Sequence, residues 1–103
     1  MWYSGEREEI MLYTFIELPD ETIISHSEIL NLHGREQVRV YIETPDEKNC
    51  FNHAVYWLPE GKWEDVVGYT PEQLDYLQDF VESEKALIFE FAKHGGLEHA
   101  SGL

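Results

Sequence analysis

Two neighbouring runs in the middle of the chain constrain its fold more than any other feature, because each alternates side chains with a period of two. In residues 37–43, Val38, Val40 and Ile42 alternate with Arg39, Tyr41 and Glu43. In residues 50–58, Phe51, His53, Val55 and Trp57 alternate with Asn52, Ala54, Tyr56 and Leu58. Successive strand residues point to opposite sides of a sheet, so this period predicts two strands. The polar segment TPDEKN between them predicts a β-hairpin with a loop of about six residues. Within it, His53 is expected on a sheet face with Phe51 and Val55, half-buried and hydrogen-bonded, and Trp57 in the core.

The flanking segments extend this pattern. Residues 9–18 read as a strand with Met11, Tyr13 and Phe15 on one side and Ile10, Leu12 and Ile16 on the other. Pro19-Asp20-Glu21 makes a turn, and residues 22–32 (TIISHSEILNL) read either as a second strand or as a strand running into a short helix. His33-Gly34 breaks that pattern, and residues 63–69 after Pro59-Glu60-Gly61 are a further strand or an irregular edge. In TPEQ, Thr70 can cap a helix, Pro71 takes the first helical position and Gln73 completes a capping box. The helix it starts puts Leu74, Leu77 and Val81 on one face beside Phe80, with Glu72, Asp75, Asp79 and Glu82 toward water. A second apolar run, Ala86 to Ala92, continues that helix or turns away from it at about Ser83. Lys93, His94 and Gly95-Gly96 end it. The expectation is a single α+β domain over residues 1–103: an antiparallel sheet of three to five strands from about residue 9 to 69, covered on one face by helices from 71 to 93, with frayed ends at 1–7 and 97–103.

Charge narrows the partners. Twenty-one acidic residues against seven basic ones give a net charge of −14. Binding to nucleic-acid phosphates or to an anionic membrane needs clustered Lys and Arg, so neither is expected. No stretch reaches the roughly 18 apolar residues of a membrane span, and the acidic N-terminus lacks the pattern of a secretory signal. A single cysteine, Cys50, forms no internal disulfide, and a reducing, cytoplasmic compartment fits it.

Few residues offer chemistry. Cys50 and His53 have a C-x-x-H spacing, but a zinc site needs three or four converging ligands, and no CxxC or HExxH motif adds them. On an extended strand positions 50 and 53 face opposite ways, against a thiolate–imidazolium pair. Neither a metal nor a cofactor is expected. The carboxylates Glu72, Asp75, Asp79 and Glu82 recur at helical spacings of three and four, a repulsive stripe that is either the solvated side of a helix or a docking surface for a basic partner. Trp63 and Tyr69 flank the same region, with Trp63 suited equally to an interface or to the core. Two functions follow: a non-enzymatic interaction or regulatory module that binds a basic protein through Glu72, Asp75, Asp79, Glu82, Trp63 and Tyr69, or a small enzyme or metal-binding protein centred on His53 and Cys50. An exposed strand edge could make a homodimer.

The succession of VRVYIETP, a polar turn, a strand ending in WLP, the helix start GYTPEQL and the closing LIFEFAKHGG resembles a family of small bacterial domains of unknown function often encoded near toxin–antitoxin-type genes. The resemblance covers residues 38–96. That family carries a PPHxH motif at the start of its second strand, where this chain has Cys50-Phe51-Asn52-His53, with one histidine and no proline. The resemblance implies a small sheet-plus-helices fold and an accessory or regulatory role, with no activity assigned.

Overall fold

A computed structural model describes residues 11–95 of the chain. Strands β1 (Leu12–Glu17), β2 (Ile23–Ser27), β3 (Leu30–Leu32), β4 (Arg35–Asp46), β5 (Cys50–Leu58) and β6 (Lys62–Val67) precede helices α1 (Pro71–Ser83) and α2 (Lys85–Lys93). The sheet is antiparallel in the order β1-β2-β4-β5-β6, and β3 pairs with the part of β4 that β2 leaves free. This is the expected α+β arrangement with one strand more than the three to five anticipated. Glu9 and Ile10, both predicted frayed ends and Gly96 lie outside the described residues.

Residues 22–32 form two strands and no helix. Ser27 makes the break between them: its buried hydroxyl accepts the Arg39 N–H at 3.0 Å and donates to the Glu28 carbonyl at 2.8 Å, standing in for backbone partners where the chain leaves the ladder. His33 and Gly34, at φ of 53° and 75°, then form a two-residue turn of the mirror-image kind that suits the twist of a hairpin. The β4–β5 hairpin is tighter than predicted. Pairing runs from Val38 with Leu58 to Asp46 with Cys50, so only Glu47, Lys48 and Asn49 remain as loop. The Asp46 carboxylate closes that loop by accepting the N–H groups of Lys48 and Asn49, each at 3.0 Å. Both outer strands carry an extra residue: pairing slips between Thr14 and Ile16 in β1, and between Glu64 and Val67 in β6, where Asp65 has φ of 54°.

One assignment of faces is reversed. Cross-strand partners share a side of the sheet, and Val38, Val40 and Ile42 pair with Leu58, Tyr56 and Ala54. These six residues are buried beneath the helices. His53 and Phe51 therefore project from the open face as exposed residues and Trp57 as a half-buried one, in place of the half-buried histidine and core tryptophan expected. The more apolar of the two alternating sets lies on the wetter side. Tyr56 can be buried because its hydroxyl donates to Glu82 Oε2 at 2.6 Å.

The helices close the core. Thr70 and Gln73 form the capping box in full, each accepting the other's backbone N–H, and Leu77 and Val81 are buried below it. The run does turn. The Glu84 N–H bonds to the Phe80 and Val81 carbonyls at 3.2 and 3.1 Å, ending α1, and α2 restarts at Lys85 with Ile88 and Ala92 inward.

His26 belongs to this core and is fully buried. A carbonyl only accepts, so the 2.7 Å contact between Nδ1 and the Ser27 carbonyl places the ring proton on Nδ1. Nε2 is then a bare lone pair with no partner among the described residues, on a ring whose centroid lies 5.7 Å from that of Tyr13 and 6.4 Å from that of Phe15. Burial pushes the imidazole pKa below its ordinary value of 6.5, outweighing the Ser27 bond that favours the charged form. The unfolded chain therefore takes up this proton more readily than the folded one, and the stability contributed by neutral His26 is complete above pH 6.5 and lost as pH falls through the lower folded value. Urea unfolding at pH 7.5 and pH 5.5 should show that loss, and His26→Leu should flatten the pH slope; an unchanged slope in the variant would show that the carboxylates alone set it.

Candidate functional site

Helix α1 carries charge of one sign alone. Four of its 13 residues are acidic and none is basic. Glu72, Asp75 and Asp79 are exposed along one stripe, with the exposed phenol of Tyr76 among them. Glu82, predicted to extend that stripe, is turned to the sheet instead. It accepts the Tyr56 hydroxyl through one oxygen and faces Lys85 Nζ at 3.6 Å through the other. That hydrogen bond is structural: burial first and the neighbouring Glu82 second hold the Tyr56 pKa well above the ordinary tyrosine range.

Trp63 holds the middle of the helix, and Tyr69 ties the chain just before it to the sheet. Trp63 on β6 pairs with Tyr56, its ring centroid 4.7 Å from the tyrosine's, and its indole N–H donates to Gln78 Oε1 at 3.1 Å. Tyr69 is half-buried, and its hydroxyl donates to the Asn52 carbonyl at 3.2 Å while lying 2.9 Å from Thr44 Oγ1. Gly68 makes that placement possible. The backbone passes directly over the Asn52 side chain there, with φ of 95°, leaving no room for a Cβ.

A cleft of about 420 Å³ opens where the start of α1 meets the β1–β2 turn. Thr22, Thr44 and Tyr69 line it, together with the apolar Leu18 and Leu77. Asp20, Glu72 and Tyr76 complete it, so the cleft and the acidic stripe share Glu72 and Tyr76 and form one continuous surface. Asp20 is fixed by accepting the Thr22 N–H at 3.0 Å. Of these residues Glu72 and Tyr69 are sequence-predicted site residues, whereas Asp20, Thr22, Thr44 and Tyr76 are not. A signal existed for Thr44: it has the parity of Val38, Val40 and Ile42, so it is a polar residue on the core side of a strand.

Cys50 and His53 are not brought together. Cys50 begins β5 opposite Asp46, exposed and with φ of 67°, whereas His53 lies opposite Glu43 and lines a shallow groove with Tyr41, Val55 and Asp65 that Cys50 does not reach. Among the described residues no group of three or more His, Cys, Asp or Glu side chains is placed to hold a metal ion. Beside that groove the Arg39 guanidinium stacks 4.8 Å from the Trp57 ring centroid and donates to the Tyr41 hydroxyl at 2.9 Å, which engages the open face's central cation with its own neighbours. No helix among the described residues is long and apolar enough to cross a membrane.

Compared with protein-family models, with curated proteins and with solved structures, the chain matches none.

Proposed function

We propose that this protein is a non-enzymatic interaction module that docks a basic protein partner on the exposed face of α1. The observation that carries this reading is the charge of that helix: Glu72, Asp75 and Asp79 are exposed on a helix with no basic residue, and Lys85, which follows it, faces Glu82. Like charges at this spacing destabilise a helix, and a cationic partner relieves that repulsion on binding. Tyr76, 62% exposed in the middle of the stripe, adds the amphipathic area that interfaces favour.

A lysine-rich peptide followed by fluorescence anisotropy should bind at low salt and be released as salt rises. Reversing Glu72, Asp75 and Asp79 together to lysine should weaken it at least about tenfold with the fold intact, the scale of several interfacial charge contacts. Reversing three exposed acids elsewhere, Glu36, Glu47 and Glu60, changes the net charge equally and should cost far less. Equal losses in the two triple variants would show attraction to overall charge and remove α1 as the docking face.

A further inference from the structure

Cross-strand register sorts the open face of the sheet into rows. Ser25, Tyr41, Val55 and Glu64 form a central row across four strands. Arg39, Trp57 and Lys62 line up on one side of it, and Ile23, Glu43, His53 and Val67 on the other, where Glu17 pairs with Ile23. Asp65 lines the same groove as Glu43 and His53 and so belongs to that second side. Charge is separated across the face: the cations Arg39 and Lys62 stand on one side of the central row, the carboxylates Glu17, Glu43 and Asp65 on the other. Glu64, in the row itself, is taken by the Trp57 indole N–H at 2.8 Å. Arg39 keeps donors to give, since one of its five N–H groups goes to Tyr41 and Nε has no partner among the described residues.

The same face carries a knob and a hollow at equal distances from the central row. Phe51, 49% exposed, pairs with Pro45, four residues beyond Tyr41 on β4, and Gln37 lies four residues before Tyr41. At the rise of a strand each is about 13 Å from the row, in opposite directions. Around Gln37, with Leu32, Trp57 and Lys62, lies a hollow of about 280 Å³. It exceeds the roughly 150 Å³ that holds a benzene ring in a protein interior. Between knob and hollow, Tyr41, Val55, Trp57 and the 41% exposed Val67 make a surface of the apolar kind that marks interaction sites.

We propose that a second copy of this chain occupies the open face, related to the first by a two-fold axis running along the Tyr41–Val55 row. Rotation about that row lays β4 on β4 and β5 on β5 in opposite directions and exchanges the two sides. Arg39 then meets Glu43 of the second copy, Lys62 meets its Asp65, and Phe51 enters the hollow beside its Gln37. Each contact is made twice, as an isologous interface requires. The five strands of the sheet, spaced about 4.8 Å and about 20 Å long, present roughly 480 Å² in plan, and side-chain relief carries this toward the roughly 800 Å² that each partner buries in a standard interface. A net charge of −14 on each chain opposes association at long range, whereas the charges on this face attract at contact. The helices remain on the two outer surfaces, so the inference is independent of docking on α1.

The test is sedimentation velocity of the full chain at about 0.15 M salt, where repulsion between whole molecules is screened. A dimer that dissociates on dilution is expected. Glu43→Arg, at an exposed position, sets like charges together twice and should weaken the dimer at least about tenfold. Phe51→Ala, also exposed, empties the hollow on both copies and should weaken it to a similar degree. Asp75→Lys on α1 changes the net charge as much as Glu43→Arg and should leave the dimer intact. Arg39→Glu should weaken it as Glu43→Arg does, and an equal mixture of those two variant chains should recover it, because each cation again meets a carboxylate. A merely structural role for Arg39 gives no such recovery, and its absence would overturn the two-fold placement. A dimer unmoved by Glu43→Arg and Phe51→Ala would overturn the open face as the interface. A chain that stays monomeric up to about 1 mM, the weak limit of specific association, would overturn the second copy as occupant. In that monomer, a soluble paramagnetic agent broadening the Phe51 and Val67 resonances would leave the face to a different protein, and sparing them would give it to the chain's own remaining residues.

Discussion

Gly68→Ala is expected to lower the free energy of unfolding by about 2–4 kcal/mol although Gly68 is an exposed residue. Two separate costs meet there. The backbone φ of 95° lies in the region that L side chains rarely adopt, and an added Cβ would overlap Asn52 Oδ1 and Cγ and stand 3.0 Å from its Cβ. Asn52 has little freedom to retreat: it is buried in β5, and its Oδ1 accepts the Asn49 side-chain amide at 3.0 Å. Gly34 separates the two costs, since its φ is 75° but nothing lies within 4 Å of the added Cβ. Gly34→Ala should therefore show the backbone cost alone, about 1–2 kcal/mol. Urea unfolding of both variants measures the difference, and equal losses would mean that the chain slides off Asn52 without penalty. Tyr69 follows Gly68 directly, so Gly68→Ala should also disturb the Tyr69 and Thr44 resonances.

Ile88→Ala should cost about 2–4 kcal/mol, the range for removing most of a buried aliphatic side chain and leaving its cavity. Ile88 is fully buried in the cluster that includes Ile24, Val38 and Val81. It is also a main tether of α2, a helix of nine residues, shorter than an isolated helix needs to persist in water. Hydrogen exchange should accordingly show the amides of residues 88–93 losing protection before those of β4 and β5. A loss below about 1 kcal/mol, the scale of a surface substitution, would mean that α2 is not held by this side chain.

The elements that local chemistry dictates were the legible ones. The period-two runs announced β4 and β5, and TPEQ located the start of α1 to the residue, because a capping box satisfies its own backbone groups without help from the rest of the fold. The choice of buried face on β5 was not local. Phe51, Val55 and Trp57 outweigh Asn52, Ala54 and Tyr56 in apolar area, but register with Val38, Val40 and Ile42 decided the matter, and Glu82 on a helix 26 residues away made burial of the Tyr56 hydroxyl tolerable. The same long-range bond removed Glu82 from a stripe that helical spacing alone assigned to it. The loop length went wrong for a smaller reason: Asp46 bonds two N–H groups and so allows a turn of three residues where polarity suggested six. The cleft was the least visible feature, since Thr22, Thr44 and Tyr76 come from three elements and meet only once the helix has docked.

The extra residues in β1 and β6 act on a larger scale than the strands that hold them. An outer strand is a template: its evenly spaced amides and carbonyls invite a foreign strand to continue the sheet, and from there a fibre can grow. Each bulge interrupts that spacing near the middle of a strand only six residues long, leaving runs too short to register with a newcomer. A crowded solution of these molecules, each bearing a charge of −14, thus meets two separate barriers to polymerisation, one that salt can screen and one that it cannot.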